Sequence, residues 1–494
     1  MNTVIWDKIE AATRTQADQP AVIGIDRTYS WSELQQATLE LTQQLSPASG
    51  KVVALYADNC PEWVIIDLAC QRAGVTLLPL PAFFSTLQLN YALQQAGATA
   101  IIYRHKDRIS QLVSLVDSDA QNLSPLDLLM SDLNQKTVLL PPETAKITFT
   151  SGSTGQPKGV CLSNAQQLNV AQSLLRATEL VTPRHLCILP LSTLLENIGG
   201  LYAPLLSGGA IIALPQNELG FNGSTGFELA KLLATISRYK PDSMILLPEL
   251  LLALVSAVKQ GWQVPSTLKF IAVGGSKVST SLLKQAQESG LPVYEGYGLS
   301  ECGSVVSLNT PSDAQLGTIG RVLDHVTVSI EESEIIVSGN NFLGYIGEPD
   351  TWLKESVSTG DLGYFDEQGY LHITGRKKNL LISSFGRNIN PEWIESELFS
   401  NGLLQQCVVF GDAKPYCIAL IYPRNKTTTN EMIQSWIDSI NKTLPNYARI
   451  EQWARIVNPL SYDNEQMTSN GRPVRRKILE DYATIIEQLY LKDR

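Results

Sequence analysis

The sequence predicts an α/β fold built on parallel, doubly wound sheets, with a large domain followed by a smaller one. Three observations carry this. Val52-Val53-Ala54-Leu55-Tyr56 reads as a buried strand, the apolar segment from Pro61 to Ala73 as a helix closed by Gly74, and Val75-Thr76-Leu77-Leu78-Pro79 as the next strand. Gln88 to Gly97 followed by Ala98-Thr99-Ala100-Ile101-Ile102-Tyr103 repeats the unit, and strands alternating with helices build parallel sheets. At 494 residues the chain exceeds one simple domain, and 44% hydrophobic against 17% charged content supplies an ordinary globular core.

Before the first unit, Asp26-Arg27-Thr28-Tyr29-Ser30-Trp31-Ser32-Glu33-Leu34 reads as a strand and then a helix, with Ser32 as N-cap and Glu33 in the first turn. Met244 to Val258 is the most apolar run; it reads as one buried helix, too short to span a bilayer. The start of the chain lacks a basic region followed by an apolar core, so no secretion signal is expected. Seven scattered cysteines without a C-x-x-C pair fit a reducing compartment, the cytoplasm, and with four dispersed histidines they suggest no zinc site. A net charge of -10 argues against a nucleic-acid or anionic-membrane partner, because phosphate backbones require a basic surface. A phosphate-bearing ligand would have to sit in a local cationic pocket.

Thr148-Phe149-Thr150-Ser151-Gly152-Ser153-Thr154-Gly155-Gln156-Pro157-Lys158-Gly159-Val160 has the chemistry of such a pocket. Its glycines let backbone N–H groups turn toward an anion, its hydroxyls add donors, and Lys158 supplies a point charge. Gln156-Pro157 before Lys158 excludes a Walker A loop. The flanks read as strands, so the segment is expected to join a hairpin. It resembles the signature loop of the adenylate-forming superfamily, which includes acyl-CoA synthetases, firefly luciferase and the adenylation domains of nonribosomal peptide synthetases.

Further motifs follow in the superfamily's order. Phe270-Ile271-Ala272-Val273-Gly274-Gly275-Ser276 is a buried strand ending in a glycine turn, where backbone can approach a flat ligand. Tyr297-Gly298-Leu299-Ser300-Glu301 matches "Y-G-x-T-E" with serine for threonine: a ring to stack on adenine, a hydroxyl for the α-phosphate and a carboxylate for Mg2+. Gly317 to Tyr345 fits the superfamily's β-rich middle. Asp361, expected in a turn, resembles the residue that binds the ribose hydroxyls, and Arg376 lies by resemblance on the nucleotide. Lys378 matches the superfamily's pivot position, which implies residues 1–376 as a nucleotide-binding domain and 377–494 as a small, mobile α+β domain. Gly386 falls in the "G-x-x-I-x-P-x-x-I-E" block, whose glycine loop lines the approach of the thiol. Asn390 and Pro391 there are expected to open a helix. The catalytic lysine of "T-x-x-G-K" falls on Arg472, the "I-K" lysine on Ile382, and the gatekeeping position near the acyl pocket on Thr193.

The resemblance implies activation of a carboxylic acid by ATP, with Mg2+, and transfer to a thiol. Two anions meet at the α-phosphorus, so catalysis is mostly positioning and charge stabilisation. Lys158 would hold the outer phosphates, Glu301 the metal, and Arg472 the meeting carboxylate and phosphate. No aspartate stands in Cys187 to Asn197 to bind an amine, and Pro190-Leu191-Ser192 with Glu196 looks closest to long-chain fatty acyl ligases. CoA is the expected acceptor. A separate acyl carrier protein is the alternative, since little chain follows Lys477. A third reading, suggested by Thr193, Ile382 and Arg472, is a homologue that binds nucleotide or acyl ligand without turnover.

Overall fold

Strands buried along their whole length need cover on both faces, and Val52–Tyr56, Thr76–Pro79 and Ala100–Tyr103 are of that kind. In the computed structural model, which describes residues 4–82, 84–104, 109–110, 112–113, 115, 120–124, 126–150, 157–222, 226–468 and 471–491, they pair in parallel. They lie in an eight-stranded sheet that continues through Lys146–Thr150 and Lys158–Leu162 to Gly344–Tyr345 at one edge. A nine-stranded sheet has a parallel centre of Val293–Tyr297, Phe270–Val273, Ser243–Leu246, Arg184–Leu186, Ala210–Ile212 and Pro20–Ile23, with antiparallel strands at its edges. Both sheets are therefore doubly wound at their centres and mixed at their rims.

The helix Pro61–Ala73 shows how the layers stack. Proline opens it, and Gly74 at φ 69 caps it through an N–H bond to the Cys70 carbonyl. Trp63 to Gln71 are buried without a break, more than two turns, so the helix is enclosed on every face and is wedged between the sheets. Val53 and Leu77 from one sheet, Val22, Ile211 and Phe270 from the other, and the helices Trp31–Leu45 and Asn164–Thr178 share that central core. Outer helices cover the far faces, Leu229–Tyr239, Pro248–Lys259 and Thr280–Glu288 on the larger sheet and Thr86–Ala96 on the smaller.

Two sequence expectations are corrected. The cap of Trp31–Leu45 is Ser30, not Ser32: Ser30 ends its strand extended, its hydroxyl accepts from Glu33 N–H at 3.3 Å, and Glu33 returns a carboxylate to Ser30 N–H at 2.8 Å. Ser32 has Gln35 at the same spacing, so it is the observed reciprocal bonds and not the pattern that select Ser30. Met244 to Val258 is not one helix but the strand Ser243–Leu246 and the helix Pro248–Lys259. The proline excludes helical backbone at Leu247, which is extended, and then serves as the first helical residue.

A four-stranded antiparallel sheet, Val326–Glu331, Glu334–Gly339, Ser356–Phe365 and Leu371–Arg376, forms the β-rich part. After the single 3-10 turn Lys377–Asn379 come the hairpin of Leu381–Ile382 and Asn388–Ile389 and the helix Pro391–Phe399, capped by Asn390 on the N–H groups of Glu392 and Trp393. The sheet Leu404–Phe410, Cys417–Pro423 and Ile450–Arg455 has apolar clusters of its own, around Ile394, Val409 and Ile421 on one face and Leu420 and Ile478 on the other.

Candidate active site

Lys146–Thr150 and Lys158–Leu162 are antiparallel, and Thr150 faces Lys158 as the last pair, so the glycine-rich segment does join a hairpin. Ser151, Gly152, Ser153, Thr154 and Gly155 lie outside the described residues. Gly344–Tyr345 adds to the free edge of Lys158–Leu162, Tyr345 opposite Val160, which brings its ring to 4.6 Å from Lys158 Nζ. Lys158 Nζ also lies 2.9 Å from Glu348 Oε1. The Tyr345 hydroxyl donates to Glu301 Oε1 at 2.8 Å, and burial followed by the Glu301 charge pushes that phenol well above its usual range, so it remains a donor. One tyrosine thus joins the expected phosphate lysine to the expected metal carboxylate.

The strands Phe270–Val273 and Val293–Tyr297 run side by side into the two glycine motifs. A Cβ on Gly298 would stand 1.6 Å from the Ser304 carbonyl oxygen, so the chain closes there only with glycine. Tyr297 donates its hydroxyl to Asp361 Oδ2 at 2.7 Å, and Arg376 Nε donates to Asp361 Oδ1 at 2.7 Å. Burial and the Asp361 charge hold the Tyr297 phenol well above its ordinary value. Burial works against the Arg376 charge, but the carboxylate beside it keeps the guanidinium above its ordinary value. Asp361 is in a strand and not in the expected turn: Ser356–Phe365 stays paired on both sides, with Gly360 at φ 71 taking up a bulge.

Arg472 ends a turn that Thr468 closes, through its N–H to the Arg472 carbonyl at 2.7 Å and its hydroxyl accepting the Arg472 N–H at 3.1 Å. From there Arg472 Nη2 donates to the Gly275 carbonyl at 2.8 Å, crossing from the C-terminal part to the glycine turn. Desolvation and the Arg376 charge hold Arg472 below the ordinary guanidinium value; Lys378 is lowered by desolvation and by Arg376 and Arg472. Three cations that repel one another, with Asp361 and Glu392 as their nearby counter-charges, form a place for an anion.

A cavity of about 430 Å³ follows the strands of the larger sheet inward from this place. Thr150, Gly274, Gly275, Tyr297, Gly298, Ser300 and Arg472 line it at the C-terminal ends of the strands, and Ser243 and Phe270 at their beginnings. Leu174, Leu194, Ile245 and Ala272 make its walls apolar, and Thr193, the expected gate, is among the lining residues. His185 also lies on the wall. Its ring nitrogens meet Glu196 Oε1 at 2.8 Å and Ser243 Oγ at 2.9 Å, and Glu196 Oε2 accepts Leu189 N–H at 2.9 Å. His185, Cys187 and Glu196 bring ligand-type atoms within 4.8 Å of one another, but His185 and Glu196 already satisfy each other.

Lys158, Glu301, Asp361 and Arg376 do not line the cavity. Each lies one strand pair, one residue or one or two hydrogen bonds from a residue that does. Gly386 stands apart, exposed at φ 71 in the tip of the Leu381–Ile382 and Asn388–Ile389 hairpin, where its N–H meets the Ser383 carbonyl. Sequence reasoning missed Tyr345, Glu348, His185 and Glu392. The Gly344-Tyr345 pair was visible, but nothing local placed it beside Lys158.

The pattern of the AMP-binding enzyme family matches residues 9–345, and that of the AMP-binding enzyme C-terminal domain matches residues 378–494. The chain is 27% identical to a 2-succinylbenzoate–CoA ligase of Bacillus pumilus, over 80% of this chain and 82% of that one. It is 24% identical to the long-chain-fatty-acid–CoA ligase FadD15 of Mycobacterium bovis, over 91% and 89%. Its fold is similar to that of the O-succinylbenzoate coenzyme A synthetase of Bacillus subtilis solved with ATP and magnesium ion, with a TM-score of 0.75, 22% identity, and coverage of 95% of this chain and 98% of that one. Sequence pattern and fold agree: this chain belongs to the AMP-binding enzyme family.

Proposed function

We propose that this protein is an AMP-forming acid–CoA ligase whose substrate is a monocarboxylic acid with an apolar tail, a fatty acid. The observation that carries the reading is one cavity joining an apolar chamber to Gly274, Gly275, Tyr297 and Arg472 at the C-terminal ends of parallel strands, where open α/β sheets bind ligands. The acid's tail would lie along Leu174, Ile245 and Ala272, with its carboxylate toward Arg472. Among the described lining residues, Arg472 and His185 are the only ones that can carry positive charge, and His185 is tied to Glu196. A second carboxylate on the acid would find no free partner, which argues for a fatty acid over 2-succinylbenzoate.

The adenine would stack at Tyr297, with Thr150, Ser300, Gly298 and the segment Ser151 to Gly155 around the phosphates, Lys158 on the outer ones, and the ribose near Asp361 and Arg376. Glu301 fits Mg2+: Oε1 is oriented by Tyr345, and Oε2 has no hydrogen-bond partner among the described residues. A carboxylate oxygen with substrate phosphates is an ordinary magnesium donor set, and the ion would screen the charge of the departing pyrophosphate. A carboxylate oxygen attacks the α-phosphorus, the bond to the β-phosphate oxygen breaks, and pyrophosphate leaves with the electron pair. Arg472 offsets the charge where the two anions meet. The CoA thiolate then attacks the acyl carbonyl and AMP departs.

Residues 1–376 and 377–494 are read as the two domains, with the turn at Lys377–Asn379 and Lys378 as the pivot, and Gly386 as a lining of the thiol's path after rotation. All seven cysteines are free and buried, which favours the cytoplasm. Among the described residues no helix is long and apolar enough to cross a membrane. ATP–pyrophosphate exchange with a panel of fatty, aryl and amino acids, followed by CoA consumption, tests the reading. Exchange with fatty acids and stoichiometric CoA loss support it. Exchange without CoA loss points to a carrier protein, and no exchange with any acid to a binder without turnover.

A further inference from the structure

We propose that the buried ion pair of Glu395 and Arg475 is a positioning device that aims Arg472 into the cavity, and that it serves the adenylate-forming step and not the thiol step. The inference rests on the role given to Arg472 above. Arg475 Nη2 reaches both Glu395 oxygens, at 2.8 and 2.7 Å, while Nη1 donates to the Val409 carbonyl at 2.8 Å. Val409 N–H donates in turn to Glu395 Oε1 at 2.7 Å. Three hydrogen bonds therefore pin the start of the helix Arg475–Asp481 to the helix Pro391–Phe399 and the strand Leu404–Phe410, and the fourth ties the helix Pro391–Phe399 to that strand.

Only Pro473 and Val474 separate this anchor from Arg472. Pro473 bridges to Met467, and Val474 N–H bonds to the Gln466 carbonyl at 2.8 Å, so little backbone freedom remains between the anchor and the turn. The guanidinium that leaves this turn reaches the Gly275 carbonyl across the cavity mouth. Glu392, one helical turn before Glu395, is a counter-charge for Arg472 and Lys378. One helix thus holds both the backbone anchor and the opposing charge for the residue that meets the reacting anions. Burial pushes Glu395 up against the pull of Arg475, while, against burial, the Glu395 charge holds Arg475 above its ordinary value; replacing such a buried pair by apolar residues is often neutral or stabilising. Geometry, and not stability, is what such a pair supplies.

The test uses the full chain as wild type, Glu395→Gln, and the double variant Glu395→Gln/Arg475→Met, which leaves no buried charge unpaired. Two half-reactions are read separately: pyrophosphate exchange with decanoate, and formation of decanoyl-CoA from supplied decanoyl-adenylate and CoA. We expect exchange kcat to fall roughly 10- to 100-fold, as misplacement of a catalytic group by about 1 Å does, while the thiol half-reaction stays within about twofold. That second result also shows the small domain to be folded. Parallel loss of both half-reactions, loss of the thiol step alone, or wild-type exchange in both variants overturns the proposal. Arg472→Ala is run alongside: wild-type exchange in it removes the role assigned to Arg472 and this inference with it, whereas loss in Arg472→Ala with wild-type exchange in the pair variants removes this inference alone.

Discussion

The apolar wall of the cavity makes a quantitative prediction about the acid. Each methylene moved from water into such a wall contributes about 0.8 kcal/mol, so kcat/KM for adenylation should rise roughly fourfold per carbon along hexanoate, heptanoate and octanoate, and level off when the cavity is full. Replacing the terminal methyl group by a carboxylate reverses the sign. The deep end offers Ser243 and His185, already bonded to each other and to Glu196, and no unpaired cation among the described residues. A buried charge without a partner costs several kcal/mol, so octanedioate and 2-succinylbenzoate should be at least about 100-fold poorer than octanoate. ATP–pyrophosphate exchange, with kcat/KM taken for each acid, reads both effects directly. A flat response to chain length, or 2-succinylbenzoate as the best substrate, refutes the assignment of the chamber to an apolar tail.

Three further outcomes follow. Lys158→Met should raise KM for ATP about 10- to 100-fold, the loss of one or more charge-assisted bonds, while the melting temperature holds, because the half-exposed pair with Glu348 contributes little to stability. Lys146, Asp67 and Tyr202 form a fully buried charged network, with Lys146 Nζ 2.7 Å from Asp67 Oδ1 and 2.8 Å from the Tyr202 hydroxyl. Lys146→Met alone should destabilise by about 3–5 kcal/mol in urea unfolding, and Lys146→Met/Asp67→Leu should recover most of it; equal loss in both would refute the charge argument. Burial raises Glu295 from 4.5 to about 7, with Lys277 opposing. A carboxyl raised in this way contributes stability that is complete below pH 4.5 and lost as pH rises through 7. The stability gained by Glu295→Gln over wild type should therefore be near zero at pH 4.5, grow toward about 3 kcal/mol near pH 7 and stay level above it. A gain independent of pH would place the cause elsewhere.

How much of this could be read in the chain depended on range. Proline and glycine mark the limits of Pro61–Ala73 because they act on their own backbone, and Asn390 caps its helix for the same reason. The hairpin around the glycine-rich segment was legible because both strands adjoin it. The strand inside Met244 to Val258 was not, since a short apolar run fits either period and only Pro248 reveals the break. Ser30 and Ser32 are both plausible caps until the Glu33 carboxylate is seen to reach back. Asp361 in Thr-Gly-Asp carries a turn signal, but long-range pairing with Glu334–Gly339 and Leu371–Arg376 holds it in a strand. The same distance hid Tyr345, Glu348 and Glu392: each meets the site through a strand pairing or a charge contact with no local pattern. Gly386 is the converse, matching a motif yet standing away from the cavity in this arrangement.

The most direct test of acid activation at the α-phosphorus follows the oxygen. With decanoate labelled with oxygen-18 in its carboxylate, ATP and CoA, the attacking oxygen stays on phosphorus when the thiol displaces AMP. AMP is therefore predicted to carry one labelled oxygen for each decanoyl-CoA formed, with pyrophosphate unlabelled. Unlabelled AMP, or ADP and phosphate as products, would contradict the account.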